Sequence, residues 1–218
     1  MVVVTSATHS ATDPTTDPAA PRRRLPRAAR EQQLLDVAEQ VFAEQGYSAA
    51  SMDDIAIRAG VTKPVLYSHF GSKEGLVVAC VARARSQLLE DTIVGIGDAT
   101  DFEEQLRRGI RAFFRFLDER HPAWSVLILE ISVQGAAAEE IEAIRRQQAD
   151  VIADALATGA PGVPRLRLST LAEGVIGACE RVAMFRRRHP ELSAEAATDE
   201  LMTLLWAGLA ALRGPSST

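Results

Sequence analysis

An all-α fold, with a small helix-turn-helix head ahead of a larger helical bundle, is what this 218-residue sequence predicts. Three observations carry that prediction. Apolar residues recur at the helical period through nearly every segment from about residue 30 onward. Glycine, proline and N-cap residues break the chain at helical intervals, most densely in "GVTKPVLYSHFGSKEGL", residues 60–76. No stretch alternates apolar and polar residues between turn signals, and no internal repeat of fixed length is present.

The elements follow in order. Residues 1–21 are rich in Ser, Thr, Asp, Pro and Ala and lack periodicity, so they are expected to be disordered. "RRRLPRAAR" comes next, with Arg22, Arg23 and Arg24 at its start. It reads equally as a solvated charge run or as an arm reaching phosphates or a minor groove. Leu34, Val37, Ala38, Val41 and Phe42 then form one stripe of a first helix, which Gly46 stops. Ser51 caps a second helix, with Met52, Ile55, Ala56 and Ala59 on one face and Asp53 and Asp54 in its first turn. Thr62 caps a third, with Pro64 in its first turn and Gly71 as its stop. Ser72 caps a fourth, whose Val77, Cys80, Val81, Ala84 and Leu88 share a face. Helices over 102–118, 122–134, 138–157, 165–187 and 194–212 complete a set of about nine. The expected domains are a tail with a basic arm (1–26), a helix-turn-helix domain (27–75) and a ligand-binding and dimerisation domain (76–213).

Charge is uneven. The chain carries −5 overall, while residues 21–73 hold eight Lys/Arg against six Asp/Glu, a local +2 that leaves −7 for the rest. That asymmetry hints at a polyanion-facing end. A net charge of −5 argues against a coat protein that binds DNA without sequence preference. Cys80 and Cys179 are too few and too distant for a metal cluster or a disulfide scaffold, and read as small buried hydrophobes in a reducing cytoplasm. The N-terminus lacks a basic n-region and no segment is apolar enough to span a bilayer, so a soluble, cytoplasmic protein with no membrane partner is expected. No G-x-S-x-G, P-loop, Rossmann glycine pattern or H-E-x-x-H is present. The four histidines, at 9, 69, 121 and 189, suggest no metal site. No cofactor is implied, and a helical-bundle enzyme is only a remote alternative.

Residues 51–59 and 62–69, joined at Ala59-Gly60-Val61, make two short helices around a tight glycine turn. Ile55, Ala56, Val61 and Leu66 are spaced to pack inward. The outer face of the third helix then carries Lys63, Tyr67, Ser68 and His69 beside Thr62 and Pro64. That is the layout of a recognition helix entering a major groove. Lys63 can donate to a guanine edge or a phosphate, and Pro64 and Val65 can touch a thymine methyl. Lys73 begins the fourth helix, whose free N–H groups suit a phosphate.

"SMDDIAIRAGVTKPVLYSHFGSKEGL" resembles the DNA-binding domain of the TetR family of bacterial transcriptional repressors, over about residues 31–76. The resemblance implies an all-helical homodimer on a palindromic operator of double-stranded DNA, with a C-terminal domain that dimerises and binds an unidentified small molecule. Ligand binding there usually shifts the two heads apart and lowers operator affinity. Carried onto matching positions, the contact set is Ser51, Met52, Asp53, Lys63, Pro64, Val65, Tyr67, Ser68, His69 and Lys73. Met52 replaces a hydroxyl residue common in the family, and Ser68 is small where aromatics often occur. Asp53 would repel phosphate unless it accepts from a cytosine amine. An activator, or a corepressor-dependent regulator, would use the same head.

In the remainder, Phe113, Phe114, His121, Trp124, Ser125, Ile128 and Gln134 mix bulky apolar groups with polar ones. They suit either a bundle core or the lining of a small-molecule pocket. On the last two helices Leu171, Val175, Val182, Leu201, Leu205 and Leu209, with nearby small residues, suit an isologous four-helix dimer interface. "RRRHP", residues 186–190, ends a helix where cations favour the dipole.

Overall fold

The computed structural model describes residues 25–129 and 134–210. Arg22, Arg23 and Arg24, and with them the arm's predicted role, lie outside the described residues. Within these bounds the chain is all-α, with nine helices and no strand. They are α1 (Arg27–Ala49), α2 (Met52–Arg58), α3 (Lys63–Phe70), α4 (Lys73–Ile96), α5 (Phe102–Glu119), α6 (His121–Leu129), α7 (Ala136–Gly159), α8 (Arg165–Arg186) and α9 (Ala194–Ala210).

Local chemistry sets the boundaries. The Ser51 hydroxyl accepts from the Asp54 N–H at 3.0 Å, and the Ser72 hydroxyl from the Gly75 N–H at 3.0 Å, each closing a helix start. Such a cap contributes about 1 kcal/mol. Thr62 takes the extended cap conformation but makes no side-chain cap bond, so α3 begins on the strength of Pro64 in its first turn. Gly46 does break α1, at φ 75°, yet one more turn follows it through Ala49. Helix α4 runs past Leu88 to Ile96, because Leu89, Thr92 and Ile96 continue its contact with the body.

Helices α1–α3 pack around Leu34, Ala38, Phe42, Ile55 and Leu66, all at most 1% exposed. In the body α4 packs along α5, α7 along α8, and α9 covers α5. Helix α6 packs across both α1 and α4, so the head rests on the body through two helices. Arg83 of α4 strengthens that joint. It reaches Asp36 of α1 at 2.7 Å, chelates Glu39 at 2.8 and 3.0 Å, and donates to the Gln32 carbonyl at 3.3 Å. Cys80 and Cys179 are free and buried. Burial pushes both thiols upward, that of Cys179 to about 12, which leaves them protonated and unreactive.

Candidate functional site

Helix α3 is anchored by Leu66, with His69 and Phe70 half-buried at its end, and open along its outer face. Leu66 is fully buried, while Thr62, Lys63, Pro64, Tyr67 and Ser68 are exposed and Val65 is half-buried. The Ser68 hydroxyl donates to the Val65 carbonyl at 2.7 Å. Lys63 Nζ donates to Asp53 Oδ2 at 2.9 Å, tying the first turn of α3 to that of α2. This hydrogen bond, with the carboxylate's charge, holds the Lys63 ammonium above the ordinary lysine range. Lys73 sits 4.4 Å over the Tyr47 ring, and the Tyr47 hydroxyl donates to Glu74 at 3.0 Å. The tip of α1 is thereby fixed to the start of α4.

Two expected contacts sit elsewhere. Met52 is 6% exposed and belongs to the core beneath α2, so its side chain offers DNA no surface. The His69 side chain is 10% exposed, with Nδ1 buried, without a hydrogen-bond partner and 3.9 Å from the Glu31 carboxylate. Ser51 keeps its hydroxyl occupied as the α2 cap.

A residue outside the sequence-derived set positions this surface. A Cβ at Gly75 would run into the backbone carbonyl oxygen of Phe70, the last residue of α3. Only the "GSKEGL" string signalled it, and the close approach is visible only in three dimensions. Alanine gains about 1 kcal/mol of helix propensity there. It also meets a backbone atom that no rotamer change can relieve. Gly75→Ala is expected to lower stability by a net ~1–3 kcal/mol, read from urea midpoints. An unchanged midpoint would show that the α3–α4 turn gives way freely.

Helices α4, α5, α7 and α8 enclose a cavity of about 300 Å³. Leu88, Leu106, Ile110, Phe113, Ile152 and Leu156 dominate its wall. One end is polar. Arg85, 4% exposed, donates to Gln148 at 2.6 Å and lies 3.5 Å from Glu180, which Arg145 holds at 3.0 Å. Ile96 marks the other end, eleven residues or roughly 16 Å further along α4. An apolar barrel with one charged, hydrogen-bonding end suits an amphipathic small molecule.

Of the sequence-derived pocket residues, Phe113 lines this cavity. Phe114, its neighbour, points instead into the core, with the Arg186 guanidinium 5.3 Å from its ring. His121 and Gln134 are exposed, and Ser125 is half-buried with its hydroxyl donated to the His121 carbonyl at 3.0 Å. The side chains of Trp124 and Ile128 are outside the described ones. The physical reason is that α6 packs on α1 and α4 and contributes nothing to the cavity wall. Arg85, Gln148 and Glu180 were missed, although a charged residue at Arg85, between Val81 and Leu88 on an apolar stripe, was a readable signal.

The interface set is also redistributed. Val175 is buried and lines the cavity, and Leu201 and Leu209 are buried within the subunit. Leu171, Val182 and Leu205 are half-buried against the core. The outer faces of α8 and α9 carry Leu166 (81% exposed), Phe185 and Leu204 (70% exposed). Gly174, Gly177 and Gly208 face open space. At the end of α8, Arg186 pairs with Asp118 at 3.0 Å and donates to the Leu192 carbonyl, a structural use of the "RRRHP" run.

A three-helix head presenting α3, joined to a helical body around a cavity, defines a helix-turn-helix transcriptional regulator. Residues 34–80 match the family described as bacterial regulatory proteins, tetR family, and residues 102–208 match the tetracyclin repressor-like C-terminal domain. The chain belongs to the TetR family. It is 30% identical over 188 residues to the transcriptional activator FasR of Mycolicibacterium smegmatis, covering 85% of each chain. A TetR-like regulator from Rhodococcus sp. RHA1 is 34% identical, with 86% of this chain and 99% of that one superposed at a TM-score of 0.66. FadR of Bacillus subtilis, solved with stearoyl-CoA, shares the fold at a TM-score of 0.70 and 21% identity, over 80% and 96% of the two chains. No helix among the described residues is long and apolar enough to cross a membrane, and no group of three or more His, Cys, Asp or Glu there is placed to hold a metal.

Proposed function

We propose that this protein is a cytoplasmic, homodimeric repressor that binds a palindromic operator and changes its operator affinity when an amphipathic small molecule enters the α4–α5–α7–α8 cavity. The observation that carries the reading is α3 itself, which buries Leu66 and turns Lys63, Pro64, Tyr67 and Ser68 outward together. With Thr62, Asp53 and Val65 these side chains form the contact surface, and Lys73 and the free N–H groups opening α4 take a phosphate. The dimer forms through the outer faces of α8 and α9, where Leu166, Phe185 and Leu204 are exposed. Support for the ligand comes from the cavity's one charged end and from the stearoyl-CoA held by the FadR fold. An activator is the second reading, favoured by the name of the M. smegmatis relative.

The test is titration of the protein against short duplexes tiled across the region upstream of its own coding sequence, with excess random competitor. One duplex is expected to bind tightly with two protomers per site, and Tyr67→Ala to weaken it by about tenfold or more with the dimer intact. Uniform binding to every duplex would sink the reading. A promoter fusion with and without the protein then gives the sense of regulation.

A further inference from the structure

Resting on that reading, we propose that Asp53 and Lys63 act as one unit that reads a single G·C base pair in each half-site, Lys63 donating to guanine O6 and Asp53 accepting from cytosine N4. The two side chains come from the first turns of different helices, α2 and α3, and meet at 2.9 Å on the exposed surface beside Thr62, Pro64 and Tyr67. Both stay open, with Lys63 49% and Asp53 59% exposed, so the pair faces outward without being buried by the fold.

The chemistry selects the base pair. In the major groove guanine presents acceptors at O6 and N7 and cytosine presents an amino donor at N4. O6 and N4 are hydrogen-bonded to each other within the base pair, hence about 2.9 Å apart. A lysine nitrogen and a carboxylate oxygen held at that same separation offer a donor opposite the acceptor and an acceptor opposite the donor. A·T presents the reverse order of groups, an amino donor on the purine and a carbonyl on the pyrimidine, plus a methyl group. With the purine kept on the same strand, lysine would then face a donor and aspartate an acceptor. T·A keeps the order of G·C and is set apart by the thymine methyl, which stands beside O4 where guanine offers N7.

The pairing also settles what Asp53 does near a polyanion. A carboxylate in that position repels phosphate, and it holds Lys63 by a charge-assisted bond. The pair therefore turns toward a base edge that answers both groups, an acceptor for the ammonium and a donor for the carboxylate, with its own bond kept. Asp54, exposed next to Asp53 and not bonded to Lys63, supplies the same charge without the geometry.

Selection from a duplex library with randomised centres, followed by titration of the selected site and its single-pair variants, tests this with wild type, Asp53→Asn and Asp54→Asn. Wild type is expected to select one G·C pair per half-site whose exchange for A·T weakens binding by about 5- to 150-fold. Asp53→Asn should lose most of that discrimination while keeping the rest of the consensus. Asp54→Asn should raise affinity for every duplex alike and leave the preference intact. The same consensus and ratio with Asp53→Asn overturn the inference, as does its loss of binding to all duplexes alike, which marks a structural role. Absence of any consensus with wild type removes the operator reading, and this inference with it.

Discussion

Leu204→Glu is expected to yield a folded monomer that has lost on the order of 10²–10⁴ of its operator affinity. Leu204 is 70% exposed on α9, so the subunit's own core loses nothing, and glutamate is a good helix former. In the proposed dimer, by contrast, the side chain meets its two-fold mate's surface. Burying what the subunit leaves exposed of Leu204, Leu166 and Phe185 contributes on the order of 1–2 kcal/mol each. A glutamate there is a desolvated charge without a partner, and two-fold symmetry presents it twice. The loss in DNA binding follows from linkage, since the second half-site contact becomes a bimolecular event. Sedimentation at micromolar protein reads the mass, and titration of the selected duplex reads the affinity. A variant that remains dimeric with native affinity would move the interface off this face of α9.

The head was legible because its signals are local. Ser51 and Ser72 cap the helices expected of them, and Gly71 ends α3 at φ 73°. Met52 shows where two readings competed. Its spacing with Ile55 and Ala56 placed it inside, while its place in the family's contact set placed it outside, and the structure buries it. The cavity was less legible. Its wall takes residues from four helices, and a stripe tells which face of a helix is inward but not what stands opposite. Phe113 and Phe114 make the point: adjacent aromatics, one on the cavity and one in the core. The face of α8 and α9 that would meet a partner was no more legible, because leucines on both faces of these helices leave the register of an interface open.

Helix α4 is where these parts meet. Its Cys80 and Arg83 belong to the contact with the head, and Arg85, Leu88 and Thr92 to the cavity wall. A rigid tie at Arg83 is what would carry a displacement of α4 into a displacement of the head.

Removing that tie has the largest expected effect on stability. Glu39 is 6% exposed, and burial raises its carboxyl above the ordinary glutamate range although the hydrogen bond and charge of Arg83 oppose the rise. Arg83→Met keeps the aliphatic bulk but leaves the carboxylate buried without its cation, which costs about 3–5 kcal/mol at neutral pH. The sign of the pH dependence follows. An acid whose folded-state pKa is raised contributes stability that is complete below its unfolded value and lost as pH rises through the folded one. With Arg83 gone, the opposing influence disappears and the rise is larger. The gap between variant and wild type should therefore narrow as pH falls from about 8 toward 5 and Glu39 takes up a proton. Urea midpoints across that range measure it. Adding Glu39→Gln should restore part of the loss at neutral pH, because an amide keeps the shape without the charge. A gap that stays constant with pH, unrelieved by the second change, would mean that Arg83 acts through its packing against α1 and not through the Glu39 carboxylate.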